Sequence, residues 1–152
     1  ASVTSRRAQV ASRTLVGRLA FYEHMQQLSW AEFEQACAAL FRGLGYEASL
    51  TSEIGDAGVD IVLRREGQRD IVQCKHWKER AVGSPAVREL LGAKQDFGAA
   101  DAYLVTSGFF SESARALARR NKGLHLWDRD TLMAAAGRML RDQAQRDHGS
   151  QG

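Results

Sequence analysis

Two short segments of alternating character, separated by a tight turn, constrain this chain more than anything else in it. Residues 59–64 and 70–77 are rich in β-branched and aromatic side chains, and Glu66-Gly67 between them suits a two-residue hairpin turn. A pair of strands read this way has fixed faces. Alternation puts Gln73 and Lys75 on one side of their strand and Val72 and Cys74 on the other. Asp60, between Val59 and Ile61, opens the neighbouring strand, and the hairpin carries it to the same end of the sheet as Gln73 and Lys75.

The elements around the hairpin are read from their own signals. Residues 1–27 start basic and then space Leu15, Leu19, Tyr22 and Met25 as one helical stripe. Ser29-Trp30-Ala31-Glu32 has the form of a capping box, opening a helix whose apolar stripe is Phe33, Cys37, Leu40, Phe41 and Leu44, ending at Gly43 or Gly45. Residues 46–51 read as a strand, and a glycine-rich loop, Ile54 to Gly58, leads into the hairpin. After it, Ser84-Pro85 suits the cap and first turn of a helix carrying Val87, Leu90, Leu91 and Lys94. Residues 101–106 form a buried strand, Ser111 caps a further helix through Leu117, residues 124–127 form a last strand, and a helix over 131–140 precedes a polar tail. Early strands can pair antiparallel, whereas helix crossovers favour parallel pairing. The expected fold is therefore α/β, a mixed β-sheet with helices on both faces. The expected division is an N-terminal segment or linker at 1–28, a domain at 29–140 and a tail at 141–152.

Composition narrows the class of function. A chain of 152 residues suits one domain, and a net charge of +3 permits phosphate binding without demanding it. No apolar run is long enough for a bilayer span and no signal peptide is legible, so a cytoplasmic protein is expected, although a targeting or membrane segment upstream is compatible with a chain that begins at Ala1. Cys37 and Cys74, without metal-ligand spacing, read as reduced packing residues; a disulfide between them is the less favoured alternative.

An aspartate flanked by β-branched residues is costly to bury unless a cation meets it. Asp60 offers carboxylate oxygen and Gln73 an amide oxygen to a hard divalent cation, which would polarise a phosphodiester and acidify a bound water. Lys75 would orient that water and stabilise charge growing on the phosphate. Glu34, on the first capped helix beside Phe33 and Cys37, can reach the same cation directly or through water.

Beyond this chemistry, Phe33-Glu34, Leu44-Gly45-Tyr46, Gly55-Asp56-Ala57-Gly58-Val59-Asp60-Ile61 and Val72-Gln73-Cys74-Lys75-His76-Trp77 together resemble the catalytic domain of Mrr-type restriction endonucleases, within the PD-(D/E)xK nuclease superfamily. Val87 to Gly92 and Val105 to Ser111 continue the pattern in order, so the likeness spans roughly residues 29–135. It implies a restriction-endonuclease-like sheet and Mg²⁺-dependent DNA cleavage, Mn²⁺ substituting, often of methylated foreign DNA. It maps the metal-binding aspartate onto Asp60, the catalytic lysine onto Lys75, the acidic helix residue onto Glu34, and Gln73 onto a position where the wider superfamily has Asp or Glu. A neutral amide there weakens metal binding in principle. A homodimer is compatible with the family.

Each of these residues also has a plainer reading. A single Asp, Gln or Lys on a strand is ordinarily a surface group, and only the ordered set carries weight; Glu34 alone is also explained as a solvent-facing helix residue or a partner for Arg42. Asp56 suits turn chemistry better than metal ligation. His76 reads as a packing histidine and Trp77 as a lid over the sheet end or a stacking residue. Arg64, Lys78 and Arg88, with Arg65, Arg69 and Arg80, flank the site as DNA contacts, but Glu66, Asp70, Glu79 and Glu89 interleave with them as on any mixed solvated surface. A catalytically silent DNA-binding module of the same fold, and a junction-resolving or repair nuclease, stand as the rival functions.

Overall fold

The computed structural model describes residues 15–51 and 58–150. The basic start at 1–14 and the loop residues Ile54 to Ala57, with Asp56 among them, lie outside the described residues. In chain order the elements are α1 (Leu15–Gln27), α2 (Trp30–Gly43), β1 (Glu47–Leu50), β2 (Ile61–Arg65), β3 (Gln68–Lys75), α3 (Ser84–Phe97), β4 (Ala102–Thr106), α4 (Glu112–Arg119), β5 (Leu124–Trp127) and α5 (Arg129–Gly149).

The five strands make one sheet in the order β1-β2-β3-β4-β5. The first three pair antiparallel, with Ile61 opposite Val72 in the hairpin, and β3, β4 and β5 run parallel, with Lys75 beside Thr106. Glu66 and Gly67, both at positive φ (54° and 77°), form the hairpin turn. The mixed sheet follows from connection length, since only the helical crossovers α3 and α4 bring a strand back parallel.

Two apolar layers sandwich the sheet. On one face Ile61, Leu63, Val72, Cys74 and Val105 pack against Phe33, Cys37 and Phe41 of α2 and Leu132 and Ala135 of α5. On the other, Ile71, Ala102 and Leu104 meet Val87 and Leu90 of α3 and Ala114 of α4. Adjacent residues of β3 thus serve opposite cores, as alternation requires. Met25 joins the first core while Leu19, on the same helix, stays 58% exposed, so the α1 stripe is only partly used.

Ser29 and Glu32 complete the capping box that opens α2, and Ser111 accepts from Ala114 N at the start of α4. At α3 the cap is Gly83, and Ser84, read as the cap from sequence, is the first helical residue with no side-chain capping bond. The last helix continues to Gly149, through the stretch read as a polar tail. Among the described residues no helix is long and apolar enough to cross a membrane.

Candidate active site

The antiparallel hairpin and the parallel β3–β4 pair place the carboxyl end of β3 beside the entry to β2. Asp60 sits just before β2 and is held by backbone on both sides: its N–H donates to Val72 O at 2.9 Å and its carbonyl accepts from Thr51 N at 3.0 Å. Its carboxylate Oδ2 accepts from the Cys74 backbone N–H at 2.6 Å. That bond orients the carboxylate toward β3 midway between Gln73 and Lys75 in sequence. Burial holds the Asp60 carboxyl above its ordinary range and Glu89 pushes it the same way, while the Cys74 N–H and Lys75 oppose them.

Gln73 is 3% exposed, more buried than Lys75 on the same face of β3. Its Nε2 donates to Glu89 Oε1 at 2.7 Å, and Lys75 Nζ lies 3.9 Å from Glu89 Oε2. Glu89, on α3, therefore bridges both strand residues. Gln73 Oε1 is enclosed with no hydrogen-bond partner among the described residues. A buried amide oxygen left unpaired costs on the order of 1–3 kcal/mol, so this oxygen calls for an electropositive partner.

Glu34 approaches from the other face of the sheet, on α2. Burial raises its carboxyl first and the charge of Asp60 raises it further, which puts the two acids within electrostatic reach, whereas Gln73 and Lys75 are met by Glu89. From sequence alone Glu89 belongs with the interleaved charges of a mixed solvated surface. The signal for it lay in the Val87 to Gly92 segment: Val87 and Leu90 are fully buried, which fixes how α3 lies on β3 and sends Glu89 to the sheet end.

His76 is a packing residue, stacked on Phe33 at 4.6 Å between centroids, with ring nitrogens at 2.6 Å from Ser107 Oγ and 2.7 Å from Leu28 O. It ties the end of β3 to the α1–α2 junction. Cys37 and Cys74 are free and buried behind the site. The thiol of Cys74 is pushed well up by its hydrogen bond with Cys37 and then by burial, so it stays neutral. Of the sequence-proposed DNA contacts, Lys78 and Arg88 are exposed near the site end. Arg64 pairs with Glu47 and Arg69, four residues along the strand from Asp60, roughly 13 Å away at the usual strand rise.

Among the described residues no three of His, Cys, Asp and Glu cluster as a ready-made cation cage. The donors present still suit a hard divalent ion: one carboxylate and one unpaired amide oxygen, both oxygen, leave several positions for water and substrate.

A mixed sheet between two helical layers, with acid, amide and lysine at one sheet end, defines the class as a restriction-endonuclease-like α/β domain. The chain belongs to the Mrr_cat family, described as restriction endonuclease, whose pattern matches residues 25–136. It is 36% identical over 98 residues to the uncharacterized protein y4cE of Sinorhizobium fredii, covering 59% of this chain and 24% of that one. Its fold is similar to the DNA modification-dependent restriction endonuclease AspBHI, with a TM-score of 0.65 and 17% identity over 88% of this chain and 40% of that one. The MspJI restriction endonuclease, solved with a 27-mer oligonucleotide, gives 0.59 and 22% identity over 81% and 31%. The chain thus spans about a quarter of y4cE and less than half of either enzyme.

Proposed function

We propose that this domain is a metal-dependent endonuclease that hydrolyses phosphodiester bonds in DNA, with Asp60 and Gln73 as metal ligands, Lys75 as the catalytic cation and Glu34 as an outer acid. The observation that carries it is the unpaired, buried Gln73 Oε1 on the strand whose Cys74 N–H holds the Asp60 carboxylate and whose Lys75 shares Glu89 with Gln73, in a chain of the Mrr family.

When bound, Mg²⁺ or Mn²⁺ would polarise the scissile phosphate and acidify the attacking water. The chain's own residues do the rest. The Cys74 N–H fixes one Asp60 oxygen. Glu89 holds the Gln73 amide by its NH₂ group, so that the amide oxygen points away from Glu89. Lys75, with a side chain only 19% exposed, keeps a positive charge where charge grows on the phosphate oxygens. Its pairing with Glu89 is long at 3.9 Å, which leaves the ammonium free to turn toward substrate.

Restriction of foreign DNA, modified DNA included, is the biological role that family membership supports best, and two buried free cysteines agree with a reducing cytoplasm. The test is incubation with methylated and unmethylated supercoiled plasmid, with Mg²⁺, Mn²⁺ or chelator. Nicking or linearisation in metal that stops in chelator, and is lost in Asp60→Asn, is the expected result. Binding without any cleavage would favour a silent DNA-binding module.

A further inference from the structure

We propose that Arg80 and Arg129 are phosphate-binding residues that seat the DNA strand along the sheet edge on the β4–β5 side of Lys75. Both guanidinium groups lie over an aromatic ring at 3.9 Å, Arg80 on Trp77 and Arg129 on Phe109, and Arg129 also covers Tyr22 at 4.5 Å. The rings belong to the same edge as the site. The Trp77 ring carries Lys75 Nζ at 5.7 Å, and Gly108, next to Phe109, abuts the Trp77 carbonyl so closely that a Cβ there would lie 2.6 Å from it. Val82 N donates to Phe109 O, and Arg129 N to Gly108 O, joining the three loops that follow β3, β4 and β5.

Among the described residues four arginines lie over rings, and what separates Arg80 and Arg129 from Arg65 and Arg69 is that no acceptor takes their donors. Arg115 and Arg119 pair with Asp128 and Glu112. Arg65 and Arg69 also touch rings, but at the other end of the sheet, and donate to Tyr46 Oη and Phe97 O. Among the described residues neither Arg80 nor Arg129 has an ion pair, and Arg129 Nε is enclosed with no acceptor. The acids beside Arg129 in sequence are engaged: Asp128 by Arg115 and the Thr131 cap, Asp130 by the Tyr22 hydroxyl. A guanidinium held over a ring is already positioned, and its free N–H groups can meet a phosphate in two parallel bonds. Phe109, 45% exposed, is thereby explained as the support of a cation rather than a stray surface apolar group.

The backbone of Arg129 lies two strands from Lys75, about 10 Å at the usual spacing. The identity of the DNA strand rests on the nuclease reading; the binding does not. The experiment is titration of labelled duplex DNA with the protein in chelator, where no cleavage is expected, across a range of salt. Arg80→Ala and Arg129→Ala should each weaken binding about three- to tenfold and lower the slope of log affinity against log salt by about one. Arg129→Lys, which keeps the charge if the alanine variant folds poorly, should restore most of the slope. Arg64→Ala, at the far end of β2, should leave it unchanged. Unchanged slopes in both alanine variants, an equal loss in Arg64→Ala, or a parent that binds no DNA would overturn the inference. A parent that binds with these slopes yet cuts nothing in metal would instead sink the catalytic reading and leave this one standing.

Discussion

Asp60 and Glu34 are held above the ordinary carboxyl range mainly by burial, so folding disfavours their charged forms. A raised folded-state pKa contributes stability only where the group is protonated. In metal-free protein that contribution is complete below the ordinary carboxyl range and disappears as pH rises through the raised values. Asp60→Asn keeps an oxygen for the Cys74 N–H and removes the ionisation. It should raise the melting temperature in chelator at pH 7 by roughly a few degrees and flatten the fall in stability between acid and neutral pH. Melting curves across pH check this, and a variant less stable than its parent would show that the carboxylate is well satisfied without metal. Gln73→Glu runs the other way. It replaces the donor to Glu89 by a like charge, so the chelated protein should lose about 1–3 kcal/mol. The stabilisation gained on adding Mn²⁺ should exceed the parent's, because a second carboxylate now faces the ion. Equal metal-induced shifts would mean that residue 73 does not face a cation.

Local signals made the elements legible where a signal was covalent or strictly periodic. The Glu66-Gly67 turn fixes the hairpin register, and that register carries Asp60, Gln73 and Lys75 to one end. Glu89 was not legible in the same way, because only the packing of α3 on the sheet brings a helix residue to β3. The extension of α5 to Gly149 was missed for a different reason. Residues 141–149 have no apolar stripe, but Arg, Gln and Ala sustain a helix once the preceding turns are anchored by Leu132 and Ala135. The start of α3 depended on a glycine carbonyl and a proline rather than a hydroxyl, a difference of one residue. The loops after β3 and β4 touch through Gly108, where an added Cβ would strike backbone at Trp77 rather than a movable side chain. Gly108→Ala should therefore cost about 1–3 kcal/mol in urea unfolding and reduce cleavage by shifting the segment that follows Lys75. A variant of unchanged stability and activity would show that these loops move apart freely.

At the scale of the whole molecule, charge and aromatic groups are divided between the two ends of the sheet. At the end that closes the turn of β2 and β3, Arg65 and Arg69 donate to Tyr46 and Phe97, while the end where β3, β4 and β5 finish gathers the acid, amide, lysine and two ring-backed arginines. Sequence order brings Asp60, Gln73 and Lys75 to one hairpin but does not give this partition, which needs three parallel strand ends side by side. The most direct test of the nuclease reading is plasmid cleavage in Mn²⁺ by the parent and by Lys75→Ala, with melting and DNA binding measured on both. Lys75 belongs to neither apolar core, so the variant should fold and bind DNA as its parent does while cleavage falls by at least about a hundredfold. Cleavage at the parent's rate by a folded Lys75→Ala protein would contradict the account at its centre.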